Sequence, residues 1–435
     1  MKILLVVILL LVIIVPGTLL LLSNGTELKL DPPVTTIGGL TPIQLQIDNP
    51  HGVRRITAII EQNGSRYTVF DSQETPHRLL FWRRHAPLQV RKFQVGKQQT
   101  PALADGNARF IIETQSNDLR GRIDSIETDV QIITQPPRIS ADGAQHYINQ
   151  GGSELVVFTP SGYVTDSGVR VGKYSFRSFP HPAQPGQRFS LFAFPWDLAG
   201  DVVPMVYARN PAGAEATARF WCKLFPKKFR SRDLPIDDVF LDKVVNQIDP
   251  GQSGDLLARF LKINGEMRRQ NNQTLADLRL KTADHFLWSG AFLPLTNATV
   301  ESSFADKRSY IYKGKKVDEQ VHLGFDLAVT QHIPVPAAND GRVVWADKLG
   351  IYGNCVVVDH GYGLQSIYGH LSELAVKAGD TVKKGQSLGR SGSTGLAGGD
   401  HLHFSMQVDG VQVNPIEWWD EHWIKDRILS KVGAR

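Results

Sequence analysis

Apolar and polar residues alternate through much of the chain after its first two dozen positions. In "PIQLQID", Ile43, Leu45 and Ile47 occupy every second position, which is the period of a β-strand with one buried face. In "RRITAIIEQNGSRYTVFD", Asn63-Gly64 separates two such runs, and this dipeptide favours a two-residue hairpin turn. Similar short runs recur with turn residues between them, which predicts β-sandwiches.

Two such sandwiches fit the spacing of these runs. We predict immunoglobulin-like β-sandwich modules at residues 27–136 and 137–226, with the pair Pro136-Pro137 at their boundary. In the second module, the segment Asn210-Pro211-Ala212-Gly213 is expected to turn one strand into the next.

The pattern changes to helical spacing between residues 227 and 285. Leu256, Leu257, Phe260 and Leu261 share one face of a helix in "DLLARFLKINGEM". Pro235 suits the first turn of an earlier helix, "IDDVFLDKVVNQI". We therefore predict a helical connector, then a glycine-rich β domain at 286–420 and a tail at 421–435 with a short helix.

The N-terminus carries a long apolar run from Ile3 to Leu22. As a helix this run would be about 30 Å long, enough to cross a bilayer. It has no obvious Ala-x-Ala cleavage site, so we favour an uncleaved signal anchor over residues 1–26 to a cleaved signal peptide. Lys2 keeps the short end in the cytoplasm, and the rest of the chain is exported.

Charge and cysteine content exclude two classes. The chain has 48 Lys and Arg against 43 Asp and Glu, a net charge of +5, which is too small and too dispersed to predict nucleic-acid binding. Cys222 and Cys355 are the only cysteines, and they form neither a thiolate zinc motif nor a disulfide scaffold.

Histidines are concentrated in three segments of the C-terminal domain. In "VDEQVHLGFDLA", His322 and Asp326 are four apart and would share one face of an extended strand. "VVVDHGYGLQSIYGHLS" brings His370, and in "GLAGGDHLHFSM" His401 and His403 would project from the same face of a strand.

One carboxylate and two imidazoles from these segments would make a three-ligand zinc site with an open fourth position. Such a site lowers the pKa of bound water toward about 7, and a spare imidazole would move protons. The residues alone do not decide which histidines are ligands. For His360, in "VDHGYG", a structural role at a strand end is favoured over a place in the site.

The segment 286–420 resembles the LytM/lysostaphin-type zinc metallo-endopeptidases of the cell wall, whose domain is also called a duplicated hybrid motif. The resemblance rests on collinear motifs: the His-x-x-x-Asp at 322–326, "PVPAANDGRVVWA", "GNCVVVDHGYGLQSIYGHL", "VKAGDTVKKGQSLGRSGSTG" and "HLHF". One motif departs from the family, because "SSFADKRSY" has Ala305 where members often carry the glycine of Phe-Gly-x-Arg.

The resemblance implies an all-β catalytic domain of antiparallel sheets and a Zn²⁺ cofactor held by His322, Asp326 and His403. It implies that His370 and His401 act as general base and as stabiliser of the oxyanion. The substrates it implies are stem or cross-bridge peptides of peptidoglycan.

We therefore expect a zinc endopeptidase that is anchored in the inner membrane by a single pass, with its bulk in the periplasm. The β modules would position it, bind an envelope protein or cover its cleft. One alternative is a non-catalytic LytM-domain regulator that binds and activates another wall hydrolase. Another alternative is a structural envelope protein, which leaves the histidines unexplained.

Overall fold

The computed structural model describes residues 14–15, 17–18, 20–76, 85–251 and 253–433. Most of the apolar run behind the predicted membrane anchor lies outside these residues. Within the described ranges, no helix combines the length and the apolar character that crossing a bilayer requires. The anchor therefore stays a prediction.

The described chain is built mainly from strands, and their bounds are as follows. The strands are β1 (Glu27–Leu30), β2 (Thr36–Ile37), β3 (Thr41–Asp48), β4 (Val53–Gln62), β5 (Ser65–Gln73), β6 (Gln89–Val95), β7 (Gly106–Ser116), β8 (Ile123–Ile132), β9 (Arg138–Ala141), β10 (His146–Asn149), β11 (Ser153–Ser161), β12 (Asp166–Val171), β13 (Tyr174–Arg177), β14 (Phe179–Pro180), β15 (Arg188–Ala193), β16 (Met205–Arg209), β17 (Glu215–Arg219), β18 (Cys222–Phe225), β19 (Ser231–Ile236), β20 (Thr299–Ser302), β21 (Asp306–Tyr312), β22 (Lys315–His322), β23 (Phe325–Ala328), β24 (Pro334–Pro336), β25 (Gly341–Lys348), β26 (Asn354–Asp359), β27 (Leu364–Leu371), β28 (Glu373–Leu374), β29 (Thr381–Val382), β30 (Ser387–Arg390), β31 (His401–Val408) and β32 (Val411–Val413).

Helices are fewer in the part of the chain that the structure describes. They are α1 (Asp238–Ile248), α2 (Leu256–Lys262), α3 (Arg268–Asp277), α4 (Glu421–Ile424) and α5 (Ser430–Val432). Two π-helical turns lie at Ile263–Met267 and Lys425–Leu429, and 3-10 turns lie at Leu278–Leu280, Gly350–Tyr352 and Pro415–Trp419.

The chain divides into two compact units, and the first contains residues 1–138, 161–165 and 208–216. Its strands form a three-stranded sheet, β1-β3-β6, and a five-stranded sheet, β2-β8-β7-β4-β5. Alternate residues of both sheets, including Ile43, Leu45 and Ile60, form one buried cluster. The predicted β-rich character of this region is confirmed, while its immunoglobulin-like topology stays a prediction.

Two turns of the β region have the predicted form. Gln62 pairs with Ser65 across the β4–β5 hairpin, and Asn63 and Gly64 between them have φ of 52° and 78°. Positive φ at both central residues defines the type I′ turn that Asn-Gly favours. The segment 210–213 likewise connects the neighbouring strands β16 and β17.

The second unit contains residues 139–160, 166–207 and 217–435. Its first part forms two four-stranded sheets, β14-β15-β11-β9 and β13-β12-β16-β17, and a parallel pair, β10-β18. Phe158 and Phe176 from these sheets belong to the same buried cluster as Phe404 and Trp418 near the C-terminus. The second set of strands and the C-terminal domain therefore share one core.

The C-terminal domain is organised by a mostly antiparallel sheet in the order β20-β23-β31-β27-β26-β25-β29, with β32 also paired to β31. The predicted strand through "HLHFSM" is confirmed as β31, which pairs antiparallel with both β23 and β27. Leu402, Phe404 and Met406 lie in the core, as their alternation predicts. In the neighbouring strand β23, Asp326 is the register partner of His403.

The predicted helix start at Pro235 is wrong. Pro235 lies in β19, an edge strand of the sheet β19-β21-β22, where it is the parallel register partner of Ile311. An edge strand tolerates proline because one side of its backbone needs no ladder hydrogen bond. The helix begins later, where the Asp237 side chain accepts a hydrogen bond of 2.8 Å from the backbone N–H of Phe240.

The remaining helical segments of the connector are found close to their predicted places. Their apolar faces pack on the C-terminal sheet, in a cluster that contains Leu241, Val245, Phe260, Leu275, Val357 and Ile367. The segment 231–280 therefore contributes both a strand and a covering layer to the C-terminal domain.

We expect Phe260→Ala to lower the free energy of unfolding of the second unit by about 3–5 kcal/mol, the usual cost of removing a buried aromatic ring. Phe260 is fully buried, and its ring centroid is 5.5 Å from that of Tyr310 in β21. Urea unfolding followed by tryptophan fluorescence measures the loss.

Val239→Ala is the matched control, because Val239 lies in α1 and is 78% exposed. Its effect should stay within about 0.5 kcal/mol. An equal, small effect of both substitutions would contradict a core shared by the helices and the sheet.

Candidate metal centre

Three buried side chains converge at the ends of β22, β23 and β31. The distance from His322 Nε2 to Asp326 Oδ1 is 2.9 Å, and that from His403 Nδ1 to the same oxygen is 3.2 Å. The two ring nitrogens are 3.0 Å apart. One potential ligand atom from each residue lies within 4.8 Å of the other two, which is close enough for a shared metal ion.

His322 and Asp326 do not share one extended strand, so that sequence prediction is wrong. β22 ends at His322 in one sheet, and β23 begins at Phe325 in another. The chain crosses between the sheets at Leu323–Gly324, which brings His322 at the end of β22 next to Asp326. Asp326 in turn pairs with His403 across β23 and β31.

Gly324 is required at this crossing by close packing. A Cβ atom there would lie 2.6 Å from Cε1 and 2.7 Å from Nε2 of the His403 ring. Any side chain at this position would therefore displace the imidazole of His403 or the backbone beside it.

Hydrogen bonds fix which ring nitrogens face the shared volume. His322 Nδ1 lies 3.1 Å from the carbonyl oxygen of Ser303 and donates to it, which leaves the lone pair of Nε2 toward Asp326. His403 presents Nδ1 to the same carboxylate, while its buried Nε2 has no hydrogen-bond partner among the described residues. Two imidazole lone pairs and a carboxylate oxygen at this separation fit a bound cation.

Asp326, His322 and His403 have the protonation states that bind a metal ion. Burial would raise the pKa of Asp326, but the neighbouring histidines hold that pKa well below its usual range. Burial lowers the pKa of His322 to about 4 and also lowers the pKa of His403. At neutral pH the group is thus an ionised carboxylate with two neutral imidazoles, the forms that bind a metal.

His370 and His401 lie beside this group. Their ring centroids are 4.8 Å apart, and that of His370 is 5.8 Å from the ring of His403. His370 Nδ1 donates to Thr394 O at 2.8 Å, and His401 Nδ1 donates to Gly399 O at 3.0 Å. Both histidines therefore keep Nε2 free of these backbone bonds.

His370 has an unusual backbone conformation, with φ of 64°. A residue with a side chain rarely adopts this left-handed region, and such strain is common at functional sites. Burial lowers the pKa of His370 well below its usual value. For His401, burial acts in the same direction, but the carboxylate of Asp326, 3.5 Å from His401 Nε2, outweighs burial and raises the pKa of His401.

Arg308 is a site residue that the sequence analysis missed. Its Nη2 donates to Asp326 Oδ2 at 2.5 Å, opposite the oxygen that faces the histidines. The signal lay in "SSFADKRSY", where the arginine stands one position later than in Phe-Gly-x-Arg. Ala305 in the same segment has φ of 60°, so it keeps the left-handed conformation that glycine adopts more easily.

A cavity of about 500 Å³ is lined by His322, Asp326, His370, His401 and His403. Its walls come from four regions: the connector, the segment around β20–β23, the turn at Ile351–Tyr352, and the glycine-rich loop at 396–399. Connector residues on the wall include Arg232, Phe240, Arg268 and Asn272.

His360 lies outside the cavity, as its predicted structural role requires. Its Nε2 is 2.7 Å from Ser366 Oγ, and its Nδ1 is 2.7 Å from Asp340 O. Ser366 in turn donates to the hydroxyl of Tyr368 at 3.0 Å, so this histidine belongs to a buried structural network.

The structure places three potential metal ligands and two further histidines together on an antiparallel β domain. Residues 320–415 match the model of peptidase family M23, and the chain thus carries a domain of that family.

Curated relatives match shorter stretches of the chain. A protein of Haemophilus influenzae described as an "Uncharacterized metalloprotease" is 41% identical over 120 residues, which is 27% of this chain and 25% of that protein. The "DD-carboxypeptidase/endopeptidase Mpg" of Neisseria meningitidis serogroup B is 38% identical over 97 residues, 22% of each chain. The "Peptidoglycan DD-endopeptidase ShyA" of Vibrio cholerae is 41% identical over 96 residues, again 22% of each chain. The chain thus spans about a quarter of the length of these relatives.

We expect Gly324→Ala to weaken metal binding by about 10- to 100-fold, the range found when the surroundings of a metal ligand are disturbed. The added methyl group would meet the ring of His403. Titration of the metal-free chain with zinc, followed by a competing chelator, measures the affinity.

Gly398→Ala is the control, since a Cβ on this glycine of the cavity wall meets nothing within 4 Å. Its zinc affinity should equal that of the unaltered chain. Unchanged affinity in Gly324→Ala would mean that His403 does not need its present position to bind metal.

Proposed function

We propose that the chain is a zinc-dependent endopeptidase that hydrolyses peptide cross-links of bacterial peptidoglycan. The observation that carries this proposal is the convergence of His322, Asp326 and His403, with His370 and His401 beside them. The M23 domain and the names of the relatives in Neisseria and Vibrio support the peptidase class and the wall substrate.

The chain's own residues have separable tasks in this reaction. His322 Nε2, Asp326 Oδ1 and His403 Nδ1 would hold the zinc ion, which when bound acts as a Lewis acid and lowers the pKa of water to about 7. Of His370 and His401, one accepts the proton of the attacking water through Nε2, and the other donates a hydrogen bond to the oxygen of the scissile carbonyl.

Arg308 binds the Asp326 carboxylate on the side away from the histidines. Its bond to Asp326 Oδ2 fixes the carboxylate plane, so that Oδ1 stays directed at the histidines. A buried carboxylate also needs such a partner, because its charge is otherwise costly to desolvate.

The location and partners form part of the same proposal. The apolar N-terminal run would anchor the protein in the inner membrane, and the remainder would act on the wall from the periplasm. The β modules would position the peptidase or bind an envelope protein.

A non-catalytic regulator is the rival proposal. A regulator that only binds another hydrolase needs neither a complete ligand set nor two further histidines at the cavity. All five positions are occupied by the expected residue types here, and this favours the enzyme.

We expect His403→Ala to lose stoichiometric zinc, whereas His370→Ala and His401→Ala should keep it. Each of the latter two should lower the rate of wall-peptide release by about 10²- to 10⁴-fold, the usual contribution of a positioned acid or base. Metal analysis and digestion of purified sacculi, with identification of the fragments, measure both effects.

His360→Ala is unsuitable as a control because His360 is buried, but His422→Ala tests an exposed histidine remote in sequence from the motifs. It should keep both zinc and activity. Wild-type chain that binds zinc yet releases no fragments from sacculi would favour the regulator.

A further inference from the structure

Resting on the proposed function, we propose that Arg268 binds a free carboxylate of the substrate next to the scissile bond. The site would thereby select peptides whose leaving amine belongs to an amino acid with a free α-carboxylate. Arg268 lies in α3, outside the region 320–415 that matches the family.

Two hydrogen bonds to Asn264 hold the guanidinium of Arg268 in place. Its Nη2 donates to Asn264 Oδ1 at 2.6 Å, and its Nε donates to Asn264 O at 3.2 Å. Asn264 is fully buried and is itself fixed by a hydrogen bond of 2.7 Å from its Nδ2 to Asp318 Oδ2. The π-helical turn Ile263–Met267 immediately precedes Arg268, and such turns are frequent at functional sites.

The two hydrogen bonds to Asn264 use Nε and Nη2 and leave Nη1 of the guanidinium for a ligand. Among the residues that the structure describes, Nη1 of Arg268 makes no hydrogen bond, and Arg268 forms no ion pair. The side chain is half-buried and lines the cavity that also contains His322, Asp326 and His403. A pre-positioned arginine of this kind is suited to a carboxylate, since little side-chain entropy is lost on binding.

Arg268 lines the same cavity as the potential metal ligands. Tyr352 on that cavity wall contacts both sides: its ring centroid is 5.4 Å from that of His403, and its hydroxyl donates at 2.8 Å to Oδ1 of Asn272, which follows Arg268 in α3. Burial raises the pKa of Tyr352 to about 12, and the nearby charge of Arg268 opposes this rise.

The cavity wall also carries more positively than negatively charged side chains. Its charged residues, apart from the histidines, are Arg232, Arg268, Arg308, Glu301 and Asp326. Arg308 is paired with Asp326, while Arg232 donates to the backbone oxygen of Glu301 at 2.7 Å. The wall therefore keeps a net positive charge before any metal is counted, and this attracts an anionic substrate.

This chemistry distinguishes two kinds of cross-link. In a direct bond from D-alanine to the D-centre of a diamino acid, the carbon beside the scissile nitrogen carries a free carboxylate. In an oligoglycine bridge, the residue beside an internal scissile bond has its carboxyl group in the next amide. An arginine at this point therefore favours the direct cross-link.

The test uses two peptides in which D-alanine is joined to the D-centre of diaminopimelate, with the adjacent carboxylate either free or converted to the amide. For the zinc-loaded chain we expect kcat/KM to be about 10- to 100-fold higher for the free carboxylate, the usual strength of a hydrogen bond to a charged group. Arg268→Gln should lose this preference, and Arg268→Lys should retain part of it.

Arg269→Gln is the matched control, because Arg269 is the next residue, carries the same charge and is exposed. It should keep the preference. An unchanged preference in Arg268→Gln, or an equal loss in both variants, would overturn the proposal.

Binding of the two peptides, measured by calorimetry in a His401→Ala background, separates this proposal from the proposed function. If the wild-type chain cleaves neither peptide but the His401→Ala chain binds the free carboxylate more tightly through Arg268, the carboxylate site stands and the endopeptidase proposal fails. Equal binding of both peptides overturns the carboxylate site, whether or not either is cleaved.

Discussion

The buried negative charge of Asp326 determines how the C-terminal domain is arranged. One oxygen of this carboxylate faces nitrogens of His322, His403 and His401 at 2.9, 3.2 and 3.5 Å, and the other accepts a hydrogen bond from Arg308. A charge buried this deeply costs several kcal/mol unless partners surround it. The partners come from β21, β22 and β31, so satisfying one carboxylate brings two sheets together.

Local periodicity predicted those parts of this arrangement that depend on one strand or one turn. The alternation in "HLHFSM" predicted β31 and the shared face of His401 and His403, and Asn63-Gly64 predicted its hairpin. These predictions succeeded because a strand's two faces and a two-residue turn are decided by neighbouring residues.

Features that depend on distant pairing were predicted poorly. The sequence pattern cannot show that the chain leaves one sheet after His322, because Leu323 and Phe325 continue the alternation across the break. Pro235 likewise resembles a helix start in the sequence, because its parallel neighbour β21 lies far along the chain and pairs Ile311 with it. Arg308 and Arg268 were missed because the role of an arginine depends on the carboxylate or cavity that its side chain contacts in the folded chain.

The position of the bound metal ion shows directly whether Asp326, His322 and His403 are the ligands. Anomalous diffraction from a crystal of the zinc-loaded chain, collected on both sides of the zinc absorption edge, shows where the ion binds. We expect one strong peak contacted by His322 Nε2, Asp326 Oδ1 and His403 Nδ1, with His370 and His401 outside its coordination shell. A peak bound through His401 or His370 in place of His403, or no peak at this group, would contradict this expectation.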